Sequence, residues 1–239
     1  RYSEGGFKRL MYQGNTCENM HINYLPTYTG PGHTCIYTGS VPALHGIASN
    51  DWIDKITGAK VYCTDDANAK AVGGTQRAGK MSPRNMLANT IGDEMRLASN
   101  FKSKVIAMSV KDRASILPGG FTSNGSYWMD DSNGVFMTST FYTNTLPAWV
   151  QAFNAKARAN TFMANGWNTL FPISTYVQST DDQNNYEGKF AGETAPVFPH
   201  LLKGLKASDI KKTPFGNSIL FEFAKAAIEA EKLGAREVC

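Results

Sequence analysis

The sequence lacks long apolar runs and blocks of like charge. Its longest compact apolar segment, residues 105–110, is interrupted by Ser109 and falls far short of the roughly 18 residues that suggest a membrane span. Charged residues make up 18% of the chain, the net charge is +4, and the basic residues are scattered rather than aligned in a stripe. This pattern excludes bulk disorder, a dedicated nucleic-acid partner and a membrane span.

Cysteine and histidine are scarce, with four of each. No CxxC pair and no zinc-finger spacing occurs, so three interpretations of the cysteines stay open: buried thiols, one or two disulfides, or a mixture. His21 and His200 have no partner at a metal-like spacing, and we expect structural or surface roles for both. The cysteines are Cys17, Cys35, Cys63 and Cys239.

The sequence does contain enough apolar material for a substantial core. Of its 239 residues, 42% are hydrophobic, which suits one large domain or one domain with an insertion. The polar start at residues 1–4 has no secretory leader, and we expect a mature or trimmed form.

Local patterns in the first half predict an α/β arrangement. Residues 6–11 predict a short helix, a second helix opens just after Thr29, and residues 60–63 predict a short strand. Ser82 followed by Pro83 predicts a helix start whose apolar face carries Leu87, Ile91 and Met95. The β-branched segment 104–110 follows as a buried strand. Helix followed by strand suggests a parallel sheet.

The second half changes character. An Asn133-Gly134 turn between residues 127–129 and 135–138 predicts a β-hairpin. A helix is predicted over residues 146–159, a loop-rich stretch over 160–214, and a strong helix over 218–233 that stops at Gly234. The expected organisation is core at 1–121, an insertion or cap at 122–212, and a return helix of the core at 213–239.

Two clusters could carry chemistry. Thr29, before Gly30 and a helix start, places a hydroxyl beside unpaired backbone N–H groups that bind anions. Taken alone, such a threonine is more often an ordinary helix cap. Lys111 and Arg113 follow a buried strand and could bind one phosphate together, since an Arg fork pairs with two oxygens. Taken alone, they suit a solvated pair neutralised by Asp112.

The order of several motifs changes both interpretations. Residues 26–33 read PTYTGPGH, and Thr38-Gly39, the segment PALHGI at 42–47 and then Asn50 follow. Residues 109–120 read SVKDRASILPGG, and residues 212–217 read KTPFGN before a helix. This series resembles the alkaline phosphatase superfamily, in the branch of single-chain bacterial enzymes with a Thr nucleophile that is related to nucleotide pyrophosphatase/phosphodiesterases.

The resemblance implies a fold and a set of roles. The fold would be α/β, a core with a central, mostly parallel sheet flanked by helices, plus a loop-rich insertion. Thr29 would be the nucleophile, held as an alkoxide by one of two zinc ions and forming a phosphothreonine. Asn50 would hydrogen-bond a phosphoryl oxygen, and Lys111 and Arg113 would contact the terminal phosphate of a small phosphate monoester. The family's location implies a periplasmic or secreted protein.

The sequence also departs from the family. His33 and His45 match positions that look structural, so Thr29 is the only metal ligand of the family that this chain contains. The other ligands would come from Asp-x-x-x-His and Asp-His motifs, which do not occur here. We therefore expect the 239 residues alone to be inactive. Two alternatives stay open: a phosphodiesterase or nucleotide pyrophosphatase, and a non-catalytic phosphate-binding module.

Overall fold

The computed structural model describes residues 4–235. Its helices are α1 (Phe7–Gln13), α2 (Thr29–Thr38), α3 (Pro42–His45), α4 (Ile91–Ala98), α5 (Asp112–Gly119), α6 (Ala148–Ala155), α7 (Arg158–Met163) and α8 (Phe215–Glu231). Its strands are β1 (Asp51–Ile53), β2 (Lys60–Tyr62), β3 (Ala71–Val72), β4 (Ile106–Ser109), β5 (Gly125–Met129) and β6 (Phe136–Ser139). Short 3-10 helices occur at Arg77–Gly79, Ile173–Thr175 and Ala207–Lys212.

The strands form two sheets. β1 and β2 make an antiparallel hairpin, while the larger sheet has the order β3-β6-β5-β4. In the larger sheet β4 and β5 are parallel, and the β5–β6 and β3–β6 pairs are antiparallel. The α/β class is thus confirmed, and within residues 4–235 the sheet is mixed. The predicted strands near residues 60 and 105 are β2 and β4.

The hairpin that connects β5 and β6 turns where the sequence predicts. Gly134 adopts a φ of +73°, a conformation that favours glycine, and the Asp130 N–H donates to the Val135 carbonyl at 2.9 Å. Trp128 lies opposite Met137 in the register. Both strands are buried along their whole length, so this hairpin lies at the centre of the molecule.

Helix α8 covers one face of this sheet. Ile219, Phe223 and Ala227 recur at helical spacing and are buried, as the apolar period predicts. The Phe223 ring stacks on Phe136 with centroids 3.9 Å apart, and the Tyr127 ring meets it edge-on at 5.8 Å. Burying these rings removes a large apolar area from water, and this cluster is the main core.

The predicted helix start at Ser82 is wrong. The Ser82 hydroxyl donates to the buried Asp66 carboxylate at 2.7 Å, and the residues that follow form turns. Helix α4 begins at Ile91 instead, where Thr90 and Asp93 form a capping box with bonds of 2.9 and 3.1 Å. The predicted apolar face is largely exposed, since Ile91 retains 70% of its accessible surface.

The predicted helix over residues 146–159 is interrupted. Ala157 has a φ of +45°, and the chain changes direction there between α6 and α7. Arg158, just beyond the break, makes a two-bond ion pair with Glu222 of α8 at 2.6 and 2.7 Å. The break places this arginine against α8.

The domain boundaries stay a prediction. Strands β5 and β6 come from the predicted 122–212 segment and complete one sheet with β4. Cys17, Cys35 and Cys63 are free thiols in the part of the chain that the structure describes, and Cys239 lies outside it. Between residues 4 and 235, no helix has the length and apolarity needed to cross a membrane.

Candidate active site

Thr29 is the first residue of α2. The preceding Tyr28 is extended, with φ −78° and ψ 169°, and takes the capping position without a side-chain bond. The half-buried Thr29 hydroxyl has no hydrogen-bond partner among the described residues. Thr29 is therefore not an ordinary cap, and its oxygen is available at the positive end of a helix.

Asn50 is tied to the same helix end. Its side-chain oxygen accepts the backbone N–H of Gly30 at 2.7 Å, which satisfies one of the N–H groups that a helix start leaves unpaired. The amide NH₂ group of Asn50 has no partner within residues 4–235. The interaction thus leaves two donors on Asn50 for a ligand next to Thr29.

Arg113 is held by a tyrosine that the sequence analysis missed. The Arg113 Nη1 donates to the Tyr62 hydroxyl oxygen at 2.6 Å, and that hydroxyl donates to the Asp112 carboxylate at 2.8 Å. The guanidinium lies 5.7 Å from the centre of the Tyr62 ring. The Arg113 Nε is buried and has no partner among the described residues. At least one of the five guanidinium N–H groups, the one on Nε, thus remains unpaired.

The protonation states in this cluster follow from burial and charge. Burial, and next the Asp112 carboxylate, raise the pKa of Tyr62 far above its ordinary value, so the hydroxyl stays a donor. Burial works against the Arg113 charge, but the Tyr62 hydrogen bond and Asp112 outweigh it and raise the Arg113 pKa. Arg113 is therefore charged at neutral pH. Lys111 is exposed and makes no ion pair with any residue in the described range.

The β1–β2 hairpin links the two halves of the site. At its base, the Cys63 N–H donates to the Asn50 carbonyl at 2.9 Å. The Cys63 sulfur lies 3.4 Å from the position that a Cβ on Gly30 would occupy. Tyr62, the residue before Cys63, contacts the start of α5, and α2 packs against α5. The hairpin therefore connects the start of α2 with the start of α5. No short sequence motif indicates Tyr62.

The histidines near the site make local contacts. His33 Nδ1 donates to the Thr29 carbonyl at 2.9 Å, within α2. His45 is fully buried; its Nδ1 accepts the Ile47 N–H at 3.1 Å, and burial lowers its pKa. Away from the site, His200 is buried against Glu193 at 2.9 Å, while His21 is exposed.

The described residues do not fit a two-zinc centre on their own. Between residues 4 and 235, no three His, Cys, Asp or Glu side chains converge as a metal-binding group. Thr29 is the sole position here to which the resemblance assigns a metal. The arrangement that the chain does supply is a free hydroxyl, an amide donor and two cations.

Comparison with known proteins gives strong matches over nearly the whole chain. The family described as type I phosphodiesterase / nucleotide pyrophosphatase matches residues 2–222. A protein named alkaline phosphatase PhoV, from Synechococcus elongatus, is 52% identical and covers 98% of this chain. A protein named calcium-transporting ATPase, from Myroides odoratus, is 51% identical over the same share. The chain spans 43% of the length of each relative.

A solved structure matches equally well. The crystal structure of alkaline phosphatase PafA superposes with a TM-score of 0.96 at 47% identity, covering 99% of this chain and 46% of that one. Identity at this level extends the match from fold to sequence family. The motifs around Thr29, Asn50 and Lys111 lie within the matched range, and the chain belongs to the type I phosphodiesterase / nucleotide pyrophosphatase family.

Proposed function

We propose that this chain supplies the nucleophile and the phosphate clamp of an alkaline phosphatase that hydrolyses phosphate monoesters. The observation that carries the proposal is the free Thr29 hydroxyl beside Asn50, whose oxygen is tied to the neighbouring Gly30 N–H. The names of two matched proteins, alkaline phosphatases PhoV and PafA, support the same reaction class.

The proposed reaction proceeds in two displacements. The Thr29 hydroxyl loses its proton to solvent, its oxygen attacks phosphorus in line, the bond to the leaving oxygen breaks, and that oxygen takes a proton from solvent. The NH₂ group of Asn50 and the cations of Lys111 and Arg113 hold the non-bridging oxygens, where charge spreads in the transition state. Water then attacks the phosphothreonine, which releases phosphate and restores the hydroxyl.

The clamp favours monoesters over diesters. A monoester dianion carries one more negative charge than a diester, and the two cations attract that additional charge. Arg113 is fixed in direction by Tyr62, so its fork is oriented before substrate arrives. The family's diesterase members make phosphodiester cleavage the second candidate.

Activation of Thr29 must come from elsewhere. A threonine hydroxyl is a weak nucleophile until a base or a metal removes its proton. No side chain within residues 4–235 hydrogen-bonds this hydroxyl. We therefore propose that the 239 residues alone are inactive and that the whole protein depends on two zinc ions. Periplasmic or secreted location belongs to the same proposal.

The test compares two ester classes in the full-length protein that carries this chain. Thr29→Ala is expected to abolish turnover of p-nitrophenyl phosphate, and Thr29→Ser to retain part of it. Lys111→Ala and Arg113→Ala are expected to reduce kcat/KM for p-nitrophenyl phosphate far more than for bis(p-nitrophenyl) phosphate.

Unaltered turnover by Thr29→Ala would remove the nucleophile from the proposal. Equal losses on both esters would contradict the monoester clamp and favour the diesterase. Phosphate binding without any turnover in the full-length, zinc-loaded protein would favour a non-catalytic binding module.

A further inference from the structure

A cavity of about 360 Å³ adjoins the phosphate clamp. Lys111 and Arg113 line one side of it, and the turn between β5 and β6 lines another. Lys211, from the 3-10 helix Ala207–Lys212, completes the wall, and Thr29 is not among the lining residues. The volume lies within the range of small-ligand sites. The cavity thus includes both cations of the clamp together with a third cation, Lys211.

Lys211 is an unusual residue for such a position. Its side chain is only 10% exposed, and its ammonium contacts the Asp131 carboxylate, whose side chain is 73% exposed. Burial, and next the charge of Lys111, lower the pKa of Lys211 to about 8, although Asp112 and Asp130 act in the opposite direction. Two ammonium groups that repel each other therefore share one cavity.

The carboxylates around the cavity are already engaged. Asp130 accepts the Thr75 N–H at 2.6 Å and the Ser132 N–H at 2.8 Å, while Asp112 accepts the Tyr62 hydroxyl. Asp131 lies largely in water, where an ion pair contributes little. The lining cations Lys111, Arg113, Lys211 and the exposed Arg77 outnumber the carboxylates Asp112, Asp130 and Asp131.

An anion in the cavity would relieve this repulsion. A phosphoryl group offers several charged oxygens, each of which can accept from an ammonium or a guanidinium. Lys111 and Arg113 both belong to the clamp and also line the cavity. A molecule with two phosphoryl groups could therefore place one in the clamp and one beside Lys211.

We infer that this cavity binds a second phosphoryl group of the substrate, and that Lys211 determines specificity for phosphate monoesters that carry one. This inference rests on the proposed function, because the reacting phosphoryl group occupies the clamp. Lys211 takes no part in bond breaking. Its effect is confined to esters with a second phosphoryl group.

The test uses a matched pair of substrates, glucose 1,6-bisphosphate and glucose 6-phosphate, with the full-length protein at pH 7. Lys211→Met is expected to raise KM for the bisphosphate about tenfold and to leave the monophosphate within about twofold. Lys211→Arg keeps the charge and is expected to keep the preference. Asp131→Asn removes the ion pair but not the cation, and is expected to preserve or strengthen the preference.

Several outcomes would overturn the inference. Equal changes on both sugars would make Lys211 structural. If Lys211→Met and Asp131→Asn lowered the bisphosphate preference equally, the role of Lys211 would be limited to its ion pair with Asp131. Melting temperatures of the variants separate a folding defect from a binding defect, and Lys211→Arg keeps the test decisive if Lys211→Met does not fold.

The pH dependence offers a readout that a structural lysine would not move. Because the pKa of Lys211 is about 8, its charge is present at pH 7 and lost by pH 9.5. The groups that face it are Lys111 and Asp112 from the start of α5, and Asp130 and Asp131 from the turn. The bisphosphate preference should fall over this range in the wild type and persist in Lys211→Arg. A flat wild-type ratio would contradict the role of Lys211.

Binding separates this inference from the proposed function. Calorimetric titration with pyrophosphate and with orthophosphate needs no turnover. Tighter pyrophosphate binding that Lys211→Met removes supports the cavity even if neither sugar is hydrolysed, and equal affinities would overturn it. Loss of orthophosphate binding in Asn50→Asp, at a position outside the cavity lining, reports on the site beside Thr29 and not on the cavity.

Discussion

The side-chain oxygen of Asn50 accepts the backbone N–H of Gly30 at 2.7 Å. This bond uses one N–H that the start of α2 leaves unpaired, and it fixes which face of the Asn50 amide points outward. The residue beside Gly30 is Thr29, so the bond sets the position of a donor next to the hydroxyl. The same contact therefore stabilises the start of α2 and orients a donor for the proposed reaction.

Substitution of Asn50 separates the two tasks of its amide. Asn50→Asp keeps an oxygen for the Gly30 N–H but replaces the NH₂ donor with a negative charge. We expect kcat/KM for p-nitrophenyl phosphate to fall about 100-fold or more with little change in melting temperature. Asn50→Ala removes the bond to the Gly30 N–H as well as the proposed bond to substrate, and should also destabilise the protein by about 1 kcal/mol. Full activity in Asn50→Asp would show that the NH₂ group does not bind phosphate.

Gly30 leaves little room for a side chain. A Cβ would lie 3.2 Å from both the Asn50 side-chain oxygen and the Ser49 carbonyl. We expect Gly30→Ala to displace Asn50 and to lower both turnover and melting temperature. Gly32→Ala is the matched control in the same helix, since its Cβ would meet only the Tyr24 hydroxyl, at 3.6 Å.

Gly32→Ala should be neutral or stabilising by up to about 1 kcal/mol, because alanine favours helix. Thermal melts and turnover assays of both variants check the comparison. Equal effects at the two glycines would contradict the steric explanation.

Tyr62 positions Arg113 and touches no reacting atom in the proposed reaction. Tyr62→Phe keeps the ring but leaves the Arg113 Nη1 and the Asp112 carboxylate without the hydroxyl between them. We expect kcat/KM for monoesters to fall about tenfold, and diester cleavage to fall less. Tyr12→Phe, on a tyrosine that is 79% exposed, is the control.

A positioning role for Tyr62 also predicts a dependence on Arg113. In an Arg113→Ala background, Tyr62→Phe should have little further effect on monoester turnover. Losses that multiply in the double variant would show that Tyr62 acts on its own.

Glu231 makes a partly buried ion pair with Lys104, and the contribution of this pair to stability depends on pH. Its carboxylate accepts Lys104 Nζ at 2.8 Å and Trp149 Nε1 at 3.0 Å. The hydrogen bond from Lys104 lowers the Glu231 pKa below its ordinary 4.5. Burial acts in the opposite direction, and the hydrogen bond from Trp149 adds to the lowering. A depressed carboxyl pKa adds stability that is present above the unfolded value and lost as pH falls through the folded value.

We therefore expect Glu231→Gln to lower the free energy of unfolding by about 1 kcal/mol at pH 7. The difference from the wild type should shrink towards zero below pH 4. Urea denaturation at several pH values measures it, and a difference that stays constant with pH would contradict the linkage.

Sequence patterns predicted the elements whose cause is local. The Asn133-Gly134 turn identified the β5–β6 hairpin because glycine accepts the positive φ that the turn needs. The spacing of Ile219 and Phe223 identified α8 because a helix places them on one face. The local pattern predicted a helix that opens just after Thr29, and α2 begins at Thr29.

The features that the sequence did not predict depend on residues that are far apart in the chain. Ser82 accepts the Arg84 N–H at 3.2 Å, as a cap would, but both residues also bond to Asp66, about sixteen residues earlier, and the chain forms turns there instead of a helix. Tyr62 was not identified because its hydroxyl bonds to Asp112 and Arg113, fifty and fifty-one residues later. Lys211 looks like an ordinary surface lysine in the sequence, and only the three-dimensional fold brings it beside the clamp. Such contacts have no signature in a local window.

The long separations around the cavity have a consequence for the order of folding. The β5–β6 hairpin joins neighbouring stretches of chain and can form early, whereas Tyr62, Arg113 and Lys211 meet only after two long loops have closed. The cavity should therefore be completed late on the folding pathway. An anion that binds it would slow unfolding and leave the first folding steps unchanged.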